Sequence, residues 1–408
     1  MLKDKFVVLG VTGSIAAYKS VELVRLLIKA GAKVQVVMTK SGCEFIKPLT
    51  FQVVSQNPVI TDMFKEPSHW EVEHVALADK ADIFLVAPAT ANIIAKMAAG
   101  LADDMLTSTL LATKAKKVVV PAMNVNMYEN PITQQKITAL KALGITVLEP
   151  EEGYLACGYS GKGRFPEPID IVEHIKVIMG KDGDLKNKRF LITAGPTREP
   201  IDPVRFITNY SSGKMGYALS EKAIQRGARV TLISGPTNLA PPVGLDRFIP
   251  VNTAKEMYSA VIKHYNDVDV VIKSAAVADF APKYIKSEKI KKQDSNMILE
   301  LEKNPDILQE LGNKKTRQVL IGFAAETNNI SANAQDKLKR KNLDFIVVND
   351  LTEVGAGFAE DTNIVKILHK DGRIEELPKM LKKDLADEIL DRVLLFTIKA
   401  DILGLFVF

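Results

Sequence analysis

An asparagine, a cysteine and a histidine are the residues of this chain best suited to moving protons. Asn124 sits in Pro121–Tyr128 (PAMNVNMY) and Cys157 in Leu155–Gly158 (LACG), two polar islands in apolar surroundings, with His74 upstream. An amide, a thiol and an imidazole in one pocket suit proton management around a cofactor better than hydrolysis. His74 follows Trp70-Glu-Val-Glu and opens an apolar helix, where a histidine can also simply cap, and His69 competes for the role of base. Asn124 follows a buried strand, where its NH₂ can hold a carboxylate. Cys157 reads either as a small buried hydrophobe or as an accessible thiol. Gly153, Gly158, Gly161 and Gly163 around it predict a mobile loop rather than a packed strand.

A second set of chemistry-bearing residues lies further on. Ala194–Gly216 (AGPTREPIDPVRFITNYSSGKMG) carries more side-chain donors than a plain loop needs, and Ser211–Gly216 brings helix-start amides to a phosphate. Lys273–Phe280 (KSAAVADF) stands at the carboxyl end of an apolar strand, where Asp279 could hold a ribose or a metal, or cap a turn. Lys286–Gln293 (KSEKIKKQ) reads as a solvated face or as a lysine segment that closes over a triphosphate. Asn304-Pro-Asp-Ile opens a helix with two good caps. Lys337 and Lys341 share one face of a predicted helix, a repulsion that an anionic ligand would offset.

The elements that must position these groups repeat. Phe6–Leu9, a turn at Gly10–Ser14, a helix over Ile15–Ala30 and a run at Val34–Met38 form a β-α-β unit. Phe190–Thr193, a long loop Gly195–Gly213, a helix Gly216–Arg226 and Val230–Ser234 form another. The fold class is therefore α/β: two doubly wound parallel-sheet domains, Rossmann- or flavodoxin-like, over 1–180 and 189–408. The charged, glycine-bearing stretch 181–188 is expected to be a linker with little to bury. Further strands are predicted at Ile83–Val86, Val118–Val120, Thr146–Leu148, Val268–Ile272, Val319–Phe323, Phe345–Val348 and Asn363–Leu368, with helices including Ile93–Ala99 and Ala332–Lys341.

Bulk properties exclude other classes. With 408 residues, one core is too few. A formal charge of +5 fits anionic small molecules, and no basic tract interleaved with aromatics suggests nucleic acid. Two cysteines make no disulfide framework, so a reducing cytoplasm is expected. The apolar end Val393–Phe408 is broken by Lys399 and Asp401, short of a membrane span, and reads as a terminal helix or an oligomer contact.

PAMNVNMY, LACGYSGKGR and the HxxLA pattern at His74 resemble the flavin-dependent cysteine decarboxylase family, in particular phosphopantothenoylcysteine decarboxylases of coenzyme A biosynthesis. GPTREPIDPVRFITNYSSGKMG, KIKK from Lys289, NPDI, IGFAAET and NLDFIVVND resemble the phosphopantothenate–cysteine ligase family. The resemblance spans nearly the whole chain and matches bacterial bifunctional enzymes. It implies FMN held by Gly13, Ser14, Ile15, Ser41, Thr90 and Asn92. It makes His74 the base, Asn124 the residue orienting the carboxylate of the substrate's cysteine moiety, and Cys157 the final proton donor on a substrate-covering flap. The implied reaction is redox-neutral: hydride passes from the thiol-bearing carbon to oxidised flavin, CO₂ departs, and the hydride returns.

For the second half it implies CTP contacts at Lys273, Ser274, Ala275, Asp279, Lys289, Asn304, Pro305, Asp306, Ile307, Phe323, Lys337 and Lys341. Lys289 would stabilise transition-state charge, and Asn209 would handle an acyl-cytidylate made from 4′-phosphopantothenate, with Arg205 a lesser candidate. L-cysteine would then displace CMP. Mg²⁺ is expected through phosphates and water, with no ligand cage readable; CTP over ATP rests on the resemblance alone. Homo-oligomers are implied, trimeric through the first half and dimeric through the second. Two alternatives are a peptidyl-cysteine decarboxylase, which leaves residues 190–350 idle, and a non-catalytic flavin-fold regulatory protein, which has no need of intact His74, Asn124 and Cys157.

Overall fold

The computed structural model describes residues 2–64, 73–154, 158, 160–291, 297–326, 330–350 and 360–405; His69 and Cys157 lie outside them. The chain divides into two compact units, Met1–Met179 and Gly180–Phe408.

In the first unit β1 (Phe6–Val11), β2 (Lys33–Met38), β3 (Ile83–Ala89), β4 (Lys116–Pro121) and β5 (Thr146–Val147) pair in parallel in the order 2-1-3-4-5. That is the flavodoxin-like order, whose switch point falls between β1 and β3. The helices are α1 (Ala17–Lys29), α2 (Lys40–Phe45), α3 (Pro48–Ser55), α4 (Glu73–Lys80), α5 (Ala91–Ala99), α6 (Met105–Ala112), α7 (Val125–Glu129), α8 (Pro131–Ala142) and α9 (Pro168–Gly180). Successive side chains of a strand face opposite ways, so β1 serves two cores. Val7, Leu9 and Val11 pack with α1, α3 and α9, whereas Val8 packs with α4 to α8. A hairpin of β6 (Glu151–Tyr154) and β7 (Ser160–Arg164) follows β5.

The second unit contains β8 (Arg189–Ala194), β9 (Arg198–Pro200), β10 (Phe206–Thr208), α10 (Lys214–Gln225), β11 (Arg229–Ser234), β12 (Arg247–Pro250) and α11 (Ala254–His264). Then come β13 (Val270–Lys273), β14 (Phe280–Pro282), β15 (Leu301–Lys303), α12 (Ile307–Lys314), β16 (Val319–Glu326) and α13 (Ile330–Arg340). β17 (Phe345–Asp350), β18 (Thr362–His369), β19 (Ile374–Leu381) and α14 (Lys382–Leu405) complete it. The main sheet runs β12-β11-β8-β13-β16-β17-β18-β19. Its first six strands are parallel, and in chain order they read 3-2-1-4-5-6, the Rossmann order with its switch point between β8 and β13.

Three expectations change. The last two strands are antiparallel, so this sheet is mixed rather than wholly parallel. The stretch 181–188 is not an idle linker: Leu185 is fully buried, its N–H donates to the Arg226 carbonyl at 3.0 Å, and Asp184 pairs with the Arg226 guanidinium at 2.6 Å. The loop Gly195–Gly213 contains the antiparallel pair β9–β10. Among the described residues, no helix is long and apolar enough to cross a membrane. The apolar tail continues α14 as far as Leu405, with Leu385, Ile389, Leu390 and Val393 buried.

Candidate functional site

In the first unit the turns after β1 and β3 meet at the switch point. The Thr12 hydroxyl donates to the Pro88 carbonyl at 2.7 Å and accepts from the Thr90 N–H at 3.2 Å. Sequence reasoning did not single out Thr12, because an isolated threonine carries no signal before the two turns are seen together. Gly13 lies so close to α2 that a Cβ there would stand 2.5 Å from Ser41 Cβ. Thr39 and Thr90 cap α2 and α5 with their own hydroxyls, whereas α1 begins at Ala16 without a side-chain cap. Uncapped helix N–H groups suit a phosphate. Gly13 and half-buried Ser14 stand at this turn, Ile15 is exposed, and Ser41 begins α2 one residue in. The strand β3 runs on to Ala89, Thr90 follows it as the cap of α5, and exposed Asn92 is the second residue of that helix. These residues fit a flavin phosphate at a glycine-bearing turn.

His74 is the second residue of α4 and half-buried. Asn124 caps α7, its Oδ1 accepting from the Asn126 N–H at 2.9 Å. The cap takes the acceptor end of the amide. Both α4 and α7 lie on the same face of the sheet.

The glycine run around Cys157 departs from expectation. Gly153, Gly161 and Gly163 lie within paired strands, because close approach, rather than mobility, is what they provide. At Gly163, with φ at 154°, a Cβ would sit 2.3 Å from the Met123 carbonyl oxygen, and Met123 N–H donates to the Gly163 carbonyl. The hairpin is thereby laid against the Asn124 segment. Glu149 fastens it further, bonding Tyr128 Oη at 2.6 Å, Lys141 Nζ at 2.7 Å and Lys162 Nζ at 2.9 Å. Burial alone would raise the Glu149 carboxyl, but hydrogen bonds from Lys141, Tyr128 and Lys162 bring it down to about 2. Burial and then Glu149 push the Tyr128 phenol well above its ordinary range.

In the second unit a cleft of about 790 Å³ opens at the carboxyl ends of the parallel strands. Asn209, Lys273, Ser274, Ala275 and Asp279 line it, as do Asn304, Pro305, Asp306, Ile307, Phe323, Lys337 and Lys341. Ser274 is set by its hydroxyl donating to the Thr193 carbonyl at 2.7 Å, and Ala275 N–H donates to Thr193 Oγ1 at 3.2 Å. Asn209 Nδ2 donates to the Ala276 carbonyl at 3.3 Å. Burial, with the Lys341 ammonium second, brings Lys273 down to about 8, against the pull of Asp306 and Asp279. Lys341 falls one residue past α13 and pairs with Asp306 at 2.8 Å, so Asp306 already relieves the repulsion that an anion was expected to offset. Asp306 also caps α12. Asn304 donates Nδ2 to the Ala278 carbonyl at 2.9 Å, while its buried Oδ1 has no partner among the described residues. Lys214, Asn349, Asn363 and Lys382 also line the cleft and were missed; they come from separate elements, and only the fold gathers them.

Lys289 is the exception among the expected cleft residues: it is exposed and not part of the wall. Its neighbour Ile290 is held by both backbone groups, the N–H on Asp202 Oδ2 at 3.1 Å and the carbonyl on Arg205 Nη2 at 2.8 Å. That anchorage, with Lys286 N–H on the Ile201 carbonyl at 3.0 Å, keeps the segment beside the β9–β10 loop. Arg205 is thus committed to Asp202 and Ile290. Among the described residues no three His, Cys, Asp or Glu side chains gather as a metal cage.

Comparison with known proteins gives this architecture a class. Residues 1–180 match the flavoprotein family, and residues 185–396 match the DNA/pantothenate metabolism flavoprotein C-terminal domain. The chain is a flavoprotein joined to that second module. It is 54% identical over 395 residues to the coenzyme A biosynthesis bifunctional protein CoaBC of Bacillus subtilis, covering 96% of this chain and 97% of the relative. The corresponding protein of Escherichia coli K12 is 42% identical over 396 residues, covering 96% and 97%. A crystal structure of a CoaBC C-terminal domain superposes with a TM-score of 0.46 at 49% identity, over 53% of this chain and 99% of that one. The chain belongs to the CoaBC family of bifunctional coenzyme A biosynthesis proteins.

Proposed function

We propose that the chain converts 4′-phosphopantothenate, L-cysteine and CTP into 4′-phosphopantetheine in two steps, one per unit. The observation that carries this reading is that likeness to bifunctional relatives runs across both units, each of which closes its own sheet with its own switch point.

Ligation takes place in the cleft of the second unit. A carboxylate oxygen of 4′-phosphopantothenate attacks the α-phosphorus of CTP, pyrophosphate leaves with the bonding electrons, and the cysteine amine then displaces CMP. Lys273, Lys337 and Lys341 supply positive charge, with Ser274, Ala275, Asp279, Asn304, Pro305, Asp306, Ile307 and Phe323 shaping the nucleotide site. Asn209 handles the acyl-cytidylate. Lys289 reaches in from its exposed position to the transferring phosphoryl group. Mg²⁺ enters with the nucleotide through phosphates and water.

Decarboxylation belongs to the first unit. FMN would be held by Gly13, Ser14, Ile15, Ser41, Thr90 and Asn92, and bound flavin supplies reversible hydride acceptance, which makes loss of CO₂ redox-neutral. The chain's own residues bind and move protons. Asn124 donates N–H groups to the substrate carboxylate, His74 acts as base, and Cys157 gives up the last proton as its thiol. A thiol with that duty is protonated at rest, unlike a nucleophilic thiolate.

Homo-oligomers, trimeric through the first unit and dimeric through the second, belong to the same reading. Support comes from exposed apolar side chains, Leu49 and Val53 in one unit and Tyr284, Ile285 and Ile298 in the other. A reducing cytoplasm suits Cys43, a free cysteine, and an acid-form Cys157. Purified protein tests the whole: it should be yellow with flavin absorption, and it should release CMP only when phosphopantothenate and cysteine are both supplied. A colourless protein that takes up no flavin would contradict the first half, and CMP release without phosphopantothenate the second.

A further inference from the structure

Two lysines line the cleft of the second unit from the first turns of two different helices. Lys382, the first residue of α14, is 7% exposed and still lines the cleft. Lys214, the first residue of α10, lines it too. Lys382 Nζ donates to the Glu360 carbonyl, and burial, with the Lys214 ammonium second, pushes the Lys382 ammonium below its ordinary value. Asp361 pairs with Lys214 at 2.6 Å, but its side chain is 78% exposed, so a bound anion replaces that screened contact at small cost. The α10 N-terminus opens at Gly213 without a side-chain cap, which leaves its positive end to a ligand. An independent observation adds to these: Asn363, 5% exposed, lines the same cleft with an Oδ1 that has no partner among the described residues. A buried acceptor without a donor is costly. Water bound to the divalent cation that accompanies a polyphosphate would supply one.

We propose that Lys382 and Lys214, at the N-terminus of α10, form the subsite for the nucleotide's polyphosphate and hold pyrophosphate as it leaves. The proposal rests on the nucleotide reading of the cleft and deepens it. When the bond between the α-phosphorus and the bridging oxygen breaks, its electron pair goes to pyrophosphate, and two ammonium groups beside that oxygen favour the departure.

Calorimetric titration of the full chain with CTP plus Mg²⁺, with CMP, and with inorganic pyrophosphate tests this. Lys382→Gln and Lys214→Gln should each weaken CTP and pyrophosphate binding at least about tenfold while CMP binding stays within about twofold. Lys382→Arg should recover most of the loss. Thermal melts establish folding, and if Lys382→Gln does not fold, Lys214→Gln decides the matter. Equal losses for CTP and CMP, or no loss for either, overturn the subsite. A wild-type chain that binds neither nucleotide overturns the nucleotide reading itself, a different result.

Discussion

At Lys273, burial and the neighbouring Lys341 bring the ammonium down to about 8, so near neutral pH it keeps its proton by a small margin. A triphosphate beside it favours the charged form and raises that value again. Nucleotide binding at pH 8 should therefore take up about half a proton at this site, and almost none at pH 6. Calorimetry in buffers of different ionisation enthalpy reads the uptake; its absence at pH 8 would contradict the assignment. The sign for stability runs the same way. The folded value lies below the ordinary lysine value of 10.5, so the cost of the buried charge is present below about 8 and fades as pH rises towards 10.5. Lys273→Met should raise the melting temperature at pH 7 by a few degrees without ligand and weaken CTP binding at least about tenfold. Residues of this kind were only partly legible. Lys273 announces itself at a strand's carboxyl end, whereas Lys382 sits in the run LPKMLKK, which is indistinguishable in sequence from a solvated face.

Among the elements, the β6–β7 hairpin is the one whose sequence misleads most. Its glycines read as looseness, yet at Gly163 the missing Cβ is what lets the strand touch the Met123 carbonyl. Glu149 anchors it through Tyr128, Lys141 and Lys162, and no local pattern reveals a carboxylate shared by α7, α8 and β7. Glu149→Gln should cut decarboxylation at least several-fold, mainly through a higher KM, speed proteolysis within 151–164, and leave ligation unchanged. An unaltered proteolysis pattern would contradict the anchoring role. Because the folded Glu149 carboxyl titrates at about 2, below the ordinary glutamate value of 4.5, its contribution is present above 4.5 and lost as pH falls towards 2. The hairpin should therefore resist proteolysis as well at pH 5.5 as at pH 7, and progressively less as pH falls from 4.5 towards 2. Elsewhere, strands with long β-branched runs were legible from β1 to β18. In the main sheet of the second unit two were not: β12 is four residues of RFIP, and β19 is an edge strand with Pro378 and charges interrupting its alternation. The burial of Leu185 was equally hidden, since one leucine among seven polar or glycine residues gives no periodicity.

At the scale of the whole molecule, two sheets with different strand orders give the chain two independent ligand edges. Each unit has its own core, so ligand binding should stabilise each by mass action on its own transition. Scanning calorimetry should show CTP raising one transition and flavin the other; a single transition moved equally by both would contradict that independence. The repeated β-α-β opening made the doubly wound class readable from sequence, because parallel sheets depend on local runs and short turns. The antiparallel ends of the second sheet were not readable, since strand direction there is set by how β18 returns along β17. The central claim is that two chemistries are divided between the units, and one coupled assay following CMP and 4′-phosphopantetheine addresses it with two variants. Cys157→Ser should release CMP normally and stop before 4′-phosphopantetheine, and Lys289→Gln should fail to release CMP yet decarboxylate supplied 4′-phosphopantothenoylcysteine. Equal loss of both activities in either variant would contradict the division.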